Sequence, residues 1–120
     1  MEKAQNTNKY RELEERTFNF AKRCRDYVKK LPKATSNIEY GKQLVRSSGS
    51  QAANYIEANE SLSRKDFVHR VRICRKEAKE SDLWLKLAEP FESESGEQLI
   101  LIRESEELRK IFSSILDKSK

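Results

Sequence analysis

Glycine and proline are both scarce, at three and two residues in a chain of 120. Turn-rich β architectures draw on both for their tight connections, and no stretch here alternates apolar with polar residues. A sheet-based fold is therefore excluded. Cysteine occurs twice, at Cys24 and Cys74, in no metal-binding spacing. Histidine occurs once, at His69. A single histidine rules out the paired Glu-x-x-His ligands of a di-iron carboxylate bundle. No glycine loop suited to phosphate is present. These absences leave no catalytic set, no metal site and no cofactor site to assign, and no enzyme is expected. No apolar run is long enough to span a bilayer, and no signal peptide opens the chain. The expected setting is the cytoplasm, with both thiols free in the core.

Apolar residues are few as well, at 36%, against about 45–50% in an average domain. Charged residues make up 38%, against about 25%. The net charge is +5, which permits an acidic partner without requiring one. The distribution says more. Residues 16–33 hold seven Lys or Arg against Asp26 alone, and residues 64–79 hold seven against Asp66 and Glu77. Residues 89–107 reverse the sign, with seven Glu against Arg103.

Between these charges the apolar residues recur with helical period. Leu13, Thr17, Phe20, Cys24, Tyr27 and Leu31 mark one stripe, widened by Phe18, Ala21 and Val28. They predict a helix over about 8–31, capped by Asn8 and ended by Pro32. A second helix over about 37–59 opens on a capping box of Ser36 and Glu39. Its expected stripe is Ile38, Gly41, Val45, Ser48, Ala52, Tyr55 and Asn59. A third, over about 64–88, has Ser63 as N-cap and the heptad seam Phe67, Val71, Cys74, Ala78, Ser81, Leu85 and Ala88, with Pro90 just beyond. A fourth, over about 96–117, is capped by Ser95 with Gln98. Short connections place consecutive helices antiparallel. The expected fold is all-α, an antiparallel up-down-up-down four-helix bundle in one domain over 1–120.

The segment RSSGSQAANYIEANE, residues 46–60, carries small residues where a core helix usually carries leucine. Gly41, Ser48 and Ala52 would let the second helix approach its neighbours closely. Gly49, which costs about 1 kcal/mol of helix propensity against alanine, asks for a similar packing reason. Other helices carry more apolar surface than one stripe can bury: Leu44 and Ile56 on the second, Ile73, Leu83, Trp84 and Leu87 on the third, and the run Leu99–Ile102 on the fourth. A second apolar stripe points to contact between identical subunits, the alternative being a wide core stripe within one chain.

Two groups of site residues follow. Lys22, Arg25 and Lys29 on the first helix, with Lys65, Arg72, Lys76 and Lys79 on the third, project outward and suit a phosphate backbone of RNA or DNA. Ser50, Asn54 and Glu57 on the second helix, with Arg70, Glu77, Glu80 and Trp84 on the third, suit helix–helix or subunit contacts. His69 falls on an outer face and reads as solvated. The alternative function is a protein-interaction scaffold that binds no nucleic acid and docks a basic partner on the acidic start of the fourth helix.

These residues carry a resemblance. SQAANYIEA, 50–58, is similar to a pattern Ser-Ile-x-x-Asn-Ile-x-Glu-Gly, and it precedes SRKDFVHRVRICRKEAKESDLWL, 63–85. With EELRKIFSSI near the C-terminus, the order resembles the 23S rRNA intervening-sequence proteins over about residues 10–116. Gln51 and Ala58 depart from the pattern, which has Ile and Gly there. The resemblance implies a four-helix bundle assembled as a homopentamer, with no enzymatic activity. It also implies a relation to accessory proteins of diversity-generating retroelements, which bind nucleic acid through a basic surface.

Overall fold

A computed structural model of the chain describes residues 2–120, with side chains from Arg11 onward. The elements are α1 (Glu2–Lys29), α2 (Thr35–Asn59), α3 (Arg64–Leu87), a single 3-10 turn at Glu92–Glu94, and α4 (Ser95–Lys118). No strand occurs among the described residues.

Pairs of residues that touch fix the helix directions. Gly41 near the start of α2 lies against Val28 at the end of α1 and Leu31 just beyond it, whereas Asn59 at the end of α2 bonds Glu14 in the first half of α1. Ser47 bonds Ser81, and Asn54 bonds Arg70 lower down, so α3 runs back along α2. Gln98 reaches Leu85, and Ser105 reaches Ala78, so α4 runs back along α3. Each helix therefore packs antiparallel to the next. α1 also meets α4, and α1 and α3 lie across the diagonal of the bundle. The body measures 48 × 24 × 19 Å.

The core follows the expected stripes on α1 and α3. Leu13, Thr17, Phe20, Cys24 and Tyr27 are buried from α1, and Val71, Cys74, Ala78, Ser81 and Leu85 from α3, with Ala88 just past its end. On α4, for which the sequence singled out no one face, Leu101, Leu108, Phe112 and Leu116 are buried. Both cysteines are free and buried. The second helix differs. Its buried face is Asn37, Gly41, Leu44, Ser47, Ser48, Gln51, Tyr55 and Ala58, turned from the expected stripe towards α3. Ile38 and Val45, expected in the core, are exposed, and Leu44, expected outside it, is fully buried. The reason is polar. Ser47 and Gln51 bond Ser81, and the Cys74 thiol donates to the Gln51 carbonyl, so α2 meets α3 through hydrogen bonds that hydropathy does not register. Phe18, expected to widen the α1 stripe, is exposed too.

Helix ends were legible in part. Ser63 caps α3, its Oγ accepting from the Asp66 N–H at 3.1 Å. Pro32 and Pro90 follow α1 and α3 at short distance. The other expected caps are displaced. The backbone of α1 is already helical from Glu2 through Asn8, whose side chain lies outside the described residues. Ala34, not Ser36, is the N-cap of α2, with no side-chain cap bond. A 3-10 turn leads into α4, so Ser95 is already helical and its hydroxyl donates to the Glu92 carbonyl. Gln98, expected to complete a capping box, donates instead to the carbonyls of Leu85 and Ala88 and satisfies the C-terminal end of α3.

Candidate functional site

Two kinds of surface gather the charged and polar residues. The first is the flank where α2 lies beside α3. Asn54 holds it together: its Nδ2 donates to the Ser50 carbonyl at 2.9 Å and to Ser50 Oγ at 3.0 Å, and its Oδ1 accepts from Arg70 Nη1 at 3.0 Å. One turn of α2 thus orients a guanidinium of α3. Glu57 stays outside this network; its exposed side chain makes no bond among the described residues, and its carbonyl accepts from Ser61 Oγ and the Glu60 N–H. Nearer the other end, Gln43, Arg46, Ser47, Lys76, Glu77 and Glu80 line a cleft of about 270 Å³. Beyond it Trp84 stacks on Tyr40, with ring centroids 6.0 Å apart and planes 23° apart. The indole N–H of Trp84 is buried without a partner among the described residues. The structure therefore brings Ser50, Asn54 and Arg70 into one network. It sets Glu77, Glu80 and Trp84 further along the same flank.

The basic residues divide. Lys22, Arg25 and Lys29 are exposed on α1, but two have company. Lys22 Nζ lies 5.6 Å from the centroid of the Phe18 ring, and Arg25 pairs with Asp26 at 3.1 Å, which holds the Asp26 carboxyl below its usual range. Lys65, Arg72 and Lys79 are spaced by seven on α3 and fall on one exposed line, about 10.5 Å per step at the helical rise. None of the three is in an ion pair among the described residues. Lys76 is exposed beside the polar cleft. Because α1 and α3 are diagonal, their outer faces look away from each other.

The acidic stretch is largely engaged within the chain. Arg16 makes a two-pronged bond to Glu104 at 2.7 and 2.8 Å, and Arg23 makes another to Glu97 at 3.1 and 2.6 Å. Hydrogen bonding to these glutamates raises both guanidinium pKa values. Lys30 stands 4.0 Å from Glu94. The thiols offer no nucleophile: burial pushes Cys24 and Cys74 each up to about 12. No group of three or more metal-ligating side chains occurs among the described residues.

A family model described as 23S rRNA-intervening sequence protein matches residues 10–114. The chain belongs to that family. A solved crystal structure, of a protein of unknown function from the S23 ribosomal protein family of Bacteroides thetaiotaomicron, is similar at 29% identity with a TM-score of 0.77. The likeness covers 91% of this chain and 98% of the other. No curated protein matches. Within this intervening-sequence chain, the departure at Gln51 has a structural counterpart: its amide is fully buried and donates to Ser81 Oγ at 3.0 Å.

Sequence reasoning missed Asn37. Its Nδ2 donates to the carbonyls of Pro32 and Glu89, and its Oδ1 accepts from the Glu89 N–H, so one side chain ties two connections together. It also missed Tyr40 as the partner of Trp84. The signal for Asn37 was its place one step before an apolar residue taken as core. Correct phasing of α2 would have exposed it. Among the described residues no helix is long and apolar enough to cross a membrane.

Proposed function

We propose that this intervening-sequence protein is a non-enzymatic homo-oligomeric helical bundle, five copies in the form the resemblance implies, acting in the cytoplasm and binding RNA or DNA through its basic helix faces. The observation that carries the nucleic-acid part is the line Lys65, Arg72 and Lys79, exposed and free of carboxylate partners among the described residues. Cations without internal partners keep their full attraction for phosphates, and binding releases the counterions condensed there. Lys76 on α3 and Lys22, Arg25 and Lys29 on α1 add to the field. A ring multiplies these charges and lets diagonal faces act on one extended polyanion.

The alternative, a scaffold docking a basic partner on the acidic start of α4, has less support. Glu94, Glu97 and Glu104 already face Lys30, Arg23 and Arg16. Fluorescence anisotropy with a structured RNA tests the first reading. Binding at low salt that weakens steeply as salt rises is expected. No binding at low salt, or binding indifferent to salt, overturns it.

A further inference from the structure

We propose that the outer line of α1 binds single-stranded nucleic acid, with the exposed Phe18 ring as the platform on which an unpaired base stacks. This rests on the nucleic-acid reading above and deepens it, naming the form of nucleic acid that one of the two basic faces takes.

Spacing gathers the line. Arg11, Phe18, Lys22, Arg25 and Lys29 follow one another at seven, four, three and four residues, so they share one side of α1, and all five are exposed. The line is about 27 Å long at the helical rise. Arg11, Lys22 and Lys29 are in no ion pair among the described residues. Most carboxylates of α1 are drawn off to either side. Glu14 accepts from Asn59 Nδ2 of α2 at 2.7 Å, and Glu12 and Glu15 line the groove towards α4. Asp26 alone stays near the line, paired with Arg25 at 3.1 Å. That pair is exposed on both sides, and such pairs are weak enough for a phosphate to compete.

Phe18 stands out on this face. It is 57% exposed, and among the described residues no other large apolar side chain of α1 is exposed. Its neighbours along the line are cations, so it extends no apolar strip on its own helix. Lys22 Nζ lies 5.6 Å from the ring centroid, close to the outer limit of about 6 Å for cation–π attraction. A contact that loose lets a base take the ring face while the ammonium turns to the adjoining phosphate. Stacking on a side chain needs a base with a free face. In a duplex the neighbouring bases cover it, whereas a single strand can splay its bases onto a ring. Every base has such a face, so the platform reads no sequence.

The outer line of α3 is different. Lys65, Arg72 and Lys79 have no aromatic among them, because Phe67 packs against the core and Trp84 is stacked on Tyr40. That line meets phosphates alone, in paired and unpaired strands alike. The two diagonal faces therefore divide a structured RNA. Unpaired stretches gain on α1 what paired ones cannot.

Fluorescence anisotropy with a labelled oligouridylate and an RNA duplex of the same length tests the assignment. Both should bind the wild type at low salt. Phe18→Ala should weaken oligouridylate binding about tenfold and leave duplex binding unchanged. Phe18→Leu, which keeps an apolar side chain without a π-face, should behave like Phe18→Ala. Phe18→Trp should restore affinity, and its indole fluorescence should be quenched as oligouridylate binds. Phe18 is exposed, so helical circular dichroism and the mass from light scattering should match the wild type in all three variants. Should Phe18→Ala lose helicity, Phe18→Leu carries the comparison. Failure of both RNAs to bind the wild type at low salt overturns the nucleic-acid reading itself. Duplex binding without oligouridylate binding, or a Phe18→Ala effect that is absent or equal on both RNAs, overturns the stacking platform alone. Full affinity in Phe18→Leu, or a changed mass in Phe18→Ala, does the same, since the ring would then be an apolar or subunit contact.

Discussion

Asn54 decides more at the residue scale than its size suggests. It uses both ends of its amide, joining Ser50 to Arg70 between two helices. Asn54→Leu would leave the guanidinium without that acceptor, and a half-buried group so stranded costs about 1–2 kcal/mol. We expect a melting temperature lower by several degrees, with Glu57→Ala close to unchanged because Glu57 is exposed. Equal stability of Asn54→Leu and wild type would refute a structural role for the network. The buried thiols and Tyr27 give a pH dependence. Burial raises Cys24, Cys74 and Tyr27 each to about 12, from 9.0 for the thiols and 10.0 for the phenol. The folded state therefore holds these protons more tightly than the unfolded state. Their contribution is complete below the unfolded values and is lost as pH rises from about 9 towards 12. Denaturation midpoints should fall across that window, and less so in Cys74→Ala. Midpoints that stay level to pH 10.5 would contradict this.

Packing at the element scale separates two glycines that composition treats alike. A Cβ at Gly41 would lie 2.8 Å from Val28 Cγ1, so α1 and α2 would have to part or Val28 would have to turn. Gly41→Ala is expected to destabilise by about 1–3 kcal/mol. A Cβ at Gly49 meets nothing within 4 Å inside the protomer. Gly49→Ala should therefore gain about 1 kcal/mol from helix propensity. Urea titrations of both variants check the contrast, and equal effects of the same sign would defeat it. The expectation of close packing thus holds within the protomer for Gly41 and not for Gly49. The phase of α2 shows why periodicity misled. Apolar Ile38 and Val45 drew the stripe to one side, whereas Ser47, Gln51 and Ser81 hold the helix to the other. A hydropathy pattern cannot weigh a hydrogen bond whose partner is thirty residues away.

For the whole molecule, charge placement matters more than net charge. Lys65→Glu, Arg72→Glu and Lys79→Glu together should abolish most RNA binding at moderate salt and flatten its logarithmic salt dependence by about three units. The same changes on three exposed side chains should leave thermal stability nearly untouched. Retained affinity in the triple variant, with an intact fold, would move the binding surface elsewhere. Reversal of Lys22, Arg25 and Lys29 makes the useful comparison, because those residues lie on the helix diagonally opposite α3.

The sequence by itself determined four helices, the core faces of α1 and α3, the Ser63 cap and the free thiols, because period, capping chemistry and composition act locally along the chain. The order of Ser50, Asn54, Arg70 and Trp84 was readable too, and so was the family. Tertiary structure alone decided which side of α2 faces inward, how Asn37 and Gln98 satisfy distant backbone groups, and which arginines are spent on internal glutamates. Each of those depends on a partner far away in sequence, and only the folded chain brings the two together.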